Sequence, residues 1–390
     1  MSAAAQVIRR AQLYVPGSSM RFLEKSRGMQ AVDSIAYDLE DSVTPTKKPE
    51  GRQNILNILN RDRVPGIREQ AVRINSVGSG FALDDLTEIL KGKHLDCLVV
   101  PKVDAASDLH FVTDVLRQKL PERHAEGSKN PIKIVALVES ARSVMDLASI
   151  CKASPYLSGL TFAAEDFALD LSLTRTPSLQ EFMYARSAIV TAARAFDLPS
   201  TLDLVSTTFR GEEGKRALRE ESENGKRFGF NGKQCIHPDQ VPTVQEVFSP
   251  SKDETEWAVR IVICDRKADA QGRGAWTLDG KMIDAPVVGK AKAIVAKAEV
   301  CGIDVKGLQS KFQDEEPQYN LSPFSNLWIF SSKIWKDRSI YELPVPLTCG
   351  VTVTFGKSHN SLSSGNGSGS VTSSAAPASV LSFNASISLG

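Results

Sequence analysis

The stretch Lys133-Ile-Val-Ala-Leu-Val-Glu139 decides the fold. It is a short apolar run that ends in a carboxylate. Gly159-Leu-Thr-Phe-Ala-Ala-Glu-Asp166 repeats the form after a segment long enough for one helix. Apolar runs without alternation are what strands buried on both faces look like. Strand, helix and strand make a right-handed parallel crossover, so the two C-terminal ends lie side by side, at the edge where such folds bind ligands. Glu139, Glu165 and Asp166 then meet at that edge. Neighbouring carboxylates repel unless a proton or a cation lies between them. Magnesium is one answer, because it needs few protein oxygens and keeps positions open for a substrate. Acids after strands also serve as helix N-caps, and both readings stand at this level.

The same pattern recurs outward in both directions. Strand-like runs at 12–16, 34–41, 70–75, 96–101, 201–205 and 227–236 alternate with helical spacing over 20–29, 49–60, 82–91, 105–120, 179–196 and 212–224. Eight strand-then-helix units predict an α/β fold, a (β/α)8 TIM barrel over residues 11–250. A doubly wound sheet wants fewer strands and an early Gly-rich phosphate loop, and neither GxGxxG nor a Walker loop is present. Beyond the barrel, helical spacing at 253–269 and 286–301 flanks alternating runs around an Asp279-Gly280 turn, which predicts a helix-hairpin-helix extension over 251–305. Residues 306–356 are rich in Trp, Phe and Pro and read as a poorly defined extension. Residues 357–390 are Ser/Gly-rich and read as a disordered tail.

A net charge of +1 argues against nucleic-acid and membrane-surface partners. No apolar run approaches the roughly 20 residues of a membrane span. The six cysteines lack CxxC spacing, and Cys97 and Cys235 sit in strand-like runs, so buried reduced thiols are expected. Residues 1–10 leave little room for a transit peptide before the first strand, so a cytoplasmic location is expected, with mitochondrial the alternative.

Strand ends in a barrel converge on one mouth, which collects Tyr14, Asp38, Glu40, Asp41, Arg73, Lys102, Glu139, Asp166 and Asp203 as candidates. Arg73 lies in an apolar strand, where a guanidinium is costly unless paired. It is either a fork for a substrate carboxylate or oxyanion, or an ion pair with the Asp38–Asp41 acids. Glu40 and Asp41 either act directly or support a metal-bound water. Arg21 and Lys25, four apart on the first helix, share a face that can meet phosphates or simply face solvent. His237 reads as a base or as a loop-ordering residue. Asp284 suits the N-cap of the next helix, and an extension reaching a neighbouring subunit would set it over that subunit's mouth.

These residues resemble the citrate lyase beta-subunit-like family of acyl-CoA lyases, which includes malyl-CoA and citramalyl-CoA lyases. The matching stretches are Leu13-Tyr-Val-Pro-Gly17, Asp38-Leu-Glu-Asp-Ser-Val43, Val72-Arg-Ile-Asn75, Pro101-Lys102, Ala136-Leu-Val-Glu139, Ala164-Glu-Asp166, Cys235-Ile-His-Pro238 and Gly280-Lys-Met-Ile-Asp-Ala-Pro286. They stand in family order over roughly residues 11–305 and are specific as an ordered set. Lys47-Lys48 after the acidic strand, with Arg21 and Lys25, makes the citramalyl-CoA lyase-like branch the nearest likeness. Ser18-Ser19 stands where many members carry Arg-Pro, and Ser42 where glycine is usual.

The resemblance implies a carbon–carbon lyase that cleaves a 3-hydroxyacyl-CoA to acetyl-CoA and pyruvate or glyoxylate. It implies Mg2+ held by Glu139 and Asp166, with Glu40 and Asp41 in support. Arg73 would bind the keto acid and its developing charge, and Tyr14, Arg21 and Lys25 would line the CoA side. Asp284 would come from an adjacent protomer as acid/base, so the 251–305 extension covers a neighbour's site in a homo-oligomer, typically a trimer. The partners implied are an acyl-CoA thioester and a 2-keto acid. The alternatives are a malate-synthase-type condensing enzyme using glyoxylate and acetyl-CoA, or a citrate lyase beta-like subunit of a larger complex.

Overall fold

The protein is described by a computed structural model over residues 8–208 and 210–318. Its elements run in order: β1 Ala11–Pro16, α1 Met20–Arg27, β2 Val32–Asp38, α2 Lys48–Leu59, β3 Ile67–Arg73, α3 Ala82–Ile89, β4 Cys97–Val100 and α4 Ala106–Lys119. There follow β5 Lys133–Val138, α5 Ala141–Met145, α6 Leu147–Lys152, β6 Leu157–Phe162, α7 Ala164–Leu171, α8 Met183–Ala195, β7 Ser200–Asp203, α9 Gly211–Phe228, β8 Gly232–Cys235 and α10 Gln240–Phe248. Strands β1 to β8 pair in sequence order, all parallel, and β8 returns to β1. The closed barrel expected from the sequence is the observed architecture.

Alternation explains why these strands read as continuous apolar runs. Ala36, Ala71, Cys97, Val99, Val135 and Leu137 form a small-residue cluster filling the barrel interior. Their neighbours Ile35, Val72, Leu98, Ile134 and Val138 belong to the larger core beneath the helices. Both faces are therefore dry. At the first turn, Gly17 N donates to Asp38 O at 2.8 Å, and a Cβ on Gly17 would sit 2.8 Å from that oxygen, so glycine is required for the close approach.

Among the departures from the sequence reading, three bear most on the architecture. The run 159–166 is strand only to Phe162, and Glu165 and Asp166 lie in the first turn of α7. The eighth strand starts at Gly232, because the amphipathic spacing of α9 carries it through Phe228 to a left-handed Gly229 cap. The crossover from β5 to β6 holds two short helices, α5 and α6, where one was expected.

The extension comprises α11 Lys252–Ala270, the hairpin β9 Trp276–Leu278 and β10 Lys281–Ile283, α12 Ala285–Val300 and α13 Val305–Lys311. It has its own core around Ala258, Val262, Trp276, Ile283, Val288 and Val295. It also continues past residue 305, since Val305 and Leu308 pack on that core and Gln318 exchanges backbone hydrogen bonds of 2.7 and 2.9 Å with Thr277. The Ser/Gly-rich tail and most of 306–356 lie outside the described residues. Cys97, Cys151, Cys235 and Cys264 are buried free thiols, and Cys349 lies outside the described residues. Among the described residues no helix is long and apolar enough to cross a membrane.

Candidate active site

Sheet register builds the mouth. Asp38 and Arg73 are register partners at the C-terminal ends of β2 and β3, so their side chains meet without any loop adjustment. Arg73 Nε and Nη2 donate to Asp38 Oδ1 and Oδ2, both at 2.7 Å. Asp38 also accepts from the Glu40 amide at 2.9 Å and from Ser42 Oγ at 2.5 Å, a contact that glycine at 42 could not make. Burial alone would raise the Asp38 pKa, and the Arg73 hydrogen bonds and charge outweigh it and hold it below the usual value. Arg73 Nη1 turns to Glu40 at 2.9 Å and to the more exposed Asp41 at 3.4 Å, and its guanidinium lies over the Tyr14 ring, 4.8 Å from the centroid. The ion-pair reading of Arg73 is the one these contacts show. It is ion-paired, and it also lines the cavity.

Lys102 follows the C-terminal end of β4. It adopts a left-handed backbone with φ of 49°, a costly state for lysine that points to a constraint at this site. In that conformation its amide donates to Glu139 while its Nζ donates to Glu40 at 2.9 Å. One residue thus ties the ends of β2 and β5 together. Glu139 is 5% exposed, and its pKa is pushed up to about 8, first by burial and then by Glu40 and Asp166. Glu40 is raised likewise by burial, against the pull of Arg73 and Lys102.

A cavity of about 430 Å³ opens among these groups, with Tyr14, Asp41, Arg73, Glu139, Glu165, Asp166 and Gln234 on its walls. Glu139 and Asp166 are the pair that could hold a divalent cation there. The buried Glu139 carboxylate is hard to ionise beside two other acids, and a cation between it and Asp166 would offset that repulsion. Two oxygen donors facing open space suit magnesium, which keeps several waters or ligand oxygens. Among the described residues no group of three or more His, Cys, Asp or Glu side chains is assembled for a metal, so the donor set would be completed by ligand and water.

Of the other candidates, Lys25 lies on a second cavity of about 530 Å³ that shares Tyr14, Pro16 and Ile236 with the first. Arg21 is exposed on α1 and lines neither. Ser19 is the N-cap of α1, accepting from the Phe22 amide. His237 Nδ1 accepts from the Asp239 amide at 3.3 Å, the loop-ordering role. Asp284 accepts from the Val287 amide as the N-cap of α12 and is absent from the walls of its own protomer's cavity. Asp203 is withdrawn from the mouth. Its oxygens lie 3.1 and 2.7 Å from the fully buried Arg186 on α8, because its side chain points outward into the helix layer.

Gln234 is the residue that sequence reading missed. Its Oε1 accepts from Tyr14 Oη at 2.9 Å, and its Nε2 donates to Phe162 O at 2.9 Å, joining β8, β1 and β6 beneath the cavity. A polar side chain inside a buried strand was the signal that singled out Arg73, and it applies equally to Gln234.

The profile of the HpcH/HpaI aldolase/citrate lyase family matches residues 10–238. A mitochondrial citramalyl-CoA lyase of Rattus norvegicus is 36% identical over 301 residues, covering 75% of this chain and 86% of that protein. Citrate lyase subunit beta of Haemophilus influenzae is 33% identical over 296 residues, covering 75% of this chain and 97% of its own length. The crystal structure of the CitE protein of Mycobacterium tuberculosis in complex with magnesium, acetoacetate and coenzyme A superposes with a TM-score of 0.59 at 26% identity, covering 76% of this chain and 99% of that one.

Proposed function

The chain belongs to the HpcH/HpaI aldolase/citrate lyase family and is a lyase, and from that premise we propose that it cleaves a 3-hydroxyacyl-CoA with magnesium. The products would be acetyl-CoA and a 2-keto acid, pyruvate from citramalyl-CoA or glyoxylate from malyl-CoA. The observation that carries this reading is the single cavity lined by both Arg73 and the Glu139–Asp166 pair. A relative with magnesium, acetoacetate and coenzyme A bound supports it.

Bound between Glu139 and Asp166, magnesium would polarise the acid's oxygens and neutralise charge that develops there. The remaining steps belong to the chain. Arg73, its plane fixed by Asp38, presents its remaining Nη2 N–H donor to the keto-acid part of the substrate. Tyr14 and Lys25 line the path of the thioester, with Arg21 farther out on the same helix face. Glu40 holds Arg73 and Lys102 in register, and Asp41 adds a contact to Arg73. Cleavage removes the hydroxyl proton, turns that carbon into a carbonyl, and sends the carbon–carbon bonding pair to the thioester's α-carbon. Asp284 of a neighbouring protomer takes that proton and returns one to the enolate carbon, giving acetyl-CoA. This role requires a homo-oligomer, and a trimer with residues 251–305 over the adjoining mouth is the arrangement we propose. The compartment of the rat relative favours the mitochondrial alternative over the cytoplasm.

A second reading is favoured by the Haemophilus influenzae relative, a subunit of citrate lyase. The purified chain separates the two. Cleavage of citramalyl-CoA or malyl-CoA with magnesium, lost on chelation, is expected. A folded oligomer that releases neither keto acid would favour the complex-subunit reading.

A further inference from the structure

We propose that Lys48 is a positioning residue for the mouth, its ammonium filling an oxygen cage that fits a monovalent cation and fixing the loop that carries Glu40 and Asp41. Lys48 opens α2 and is 5% exposed. Its Nζ lies 2.9 Å from Leu39 O, 3.2 Å from Glu40 O, 3.1 Å from Val43 O and 2.5 Å from Asn75 Oδ1. That is four oxygens around a group with three N–H donors, three of them main-chain carbonyls of one loop. The Phe81 ring closes another side, its centroid 5.4 Å away.

The cage is itself held rigid from behind. Asn75 Nδ2 donates to Leu39 O at 3.0 Å and to Asp85 Oδ2 at 2.6 Å, and Arg52 Nε pins Asp85 at 2.7 Å. On its other side the same loop delivers the Glu40 carboxylate to Arg73 and Lys102, both at 2.9 Å. Lys48 lines neither cavity, so it acts through the loop and touches no substrate. Carbonyl cages of this kind replace the hydration shell of potassium-sized ions. A plain stability anchor would be indifferent to which cation filled the gap. A cage would select by size and charge.

The activity readout rests on the lyase reading, and the thermal readout does not. Lys48→Ala empties the cage and leaves its oxygens. We expect kcat to fall on the order of 100-fold with KM nearly unchanged, since the loop shifts relative to Arg73. Ammonium or potassium should restore most of the loss, and tetramethylammonium none. The same two ions should raise the melting temperature of Lys48→Ala and not that of wild type, because they bind only the emptied cage. Lys48→Met, whose methyl occupies the space, should be impaired and refractory to every cation. Wild-type kcat in Lys48→Ala, or a loss that no cation relieves together with an unshifted melting temperature, would overturn the proposal. Should Lys48→Ala fail to fold in sodium, refolding in ammonium or potassium supports the cage, and failure in all three overturns it. A wild type that cleaves no acyl-CoA defeats the lyase reading alone, and the melting shift then decides this one.

Discussion

Asp38 grips Arg73 by two parallel hydrogen bonds of 2.7 Å between register partners on adjacent strands. The pair fixes the guanidinium plane by sheet geometry, so Arg73 reaches the cavity pre-oriented. Lysine at 73 would keep the charge and lose the fork, because one ammonium cannot satisfy both Asp38 oxygens and also address the cavity. Arg73→Lys should lose about 100-fold or more in kcat/KM, a barrier increase of about 2.7 kcal/mol. Steady-state kinetics on the folded variant checks this, and full activity would sink the role given to Arg73.

Much of this site was legible in the sequence, for a physical reason. Arg73, Glu139 and Asp38 stand at the ends of runs buried on both faces, where a charge draws notice because burial is costly. The sequence pattern puts Asp166 at the end of a strand over 159–166, whereas β6 ends at Phe162. The acids sit in the first turn of α7, where a helix N-terminus accepts them as readily as a strand end would. Asp203 misled because its partner Arg186 lies 17 residues away with no local spacing to announce it. Lys48 enters the sequence reading only within the Lys47-Lys48 likeness, and its place among main-chain carbonyls leaves no signature in side-chain identity.

Glu139 and Asp166 should fail together and for the same reason. Glu139→Gln or Asp166→Asn removes one of two anionic donors. Each should cost several kcal/mol of barrier, on the order of 1000-fold in rate. Isothermal titration with magnesium provides a readout independent of turnover. Metal affinity like that of wild type in either variant would remove that residue from the donor set.

The extension offers a test that distinguishes a cap from an acid/base group. Asp284 accepts from the Val287 amide in its own protomer, and asparagine caps as well as aspartate, so Asp284→Asn should fold normally. Alone it should be nearly inactive. Mixed by subunit exchange with Glu139→Gln, it should regain activity, because some mouths then pair an intact Glu139 with an intact neighbouring Asp284. Random assembly of a cyclic oligomer gives about a quarter of wild-type sites. Verified mixed oligomers without any recovery would place Asp284's role within its own subunit or abolish it.

His124 sets a pH dependence of stability that is separate from the mouth. It is 5% exposed, its ring nitrogens have no hydrogen-bond partner among the described residues, and it meets the Tyr156 ring edge-on at 4.5 Å. Burial, followed by the charges of Arg123, Arg117 and Lys133, lowers its pKa to about 4. The unfolded chain, at the ordinary value near 6.5, therefore binds the proton more readily than the folded one. Stability from this group is complete above that unfolded value and is lost as pH falls toward the folded one. His124→Phe keeps an aromatic edge for Tyr156 and cannot titrate. Urea midpoints measured at pH 7 and pH 5 should drop further in wild type than in His124→Phe. Equal drops would mean that His124 is as easily protonated in the fold as outside it.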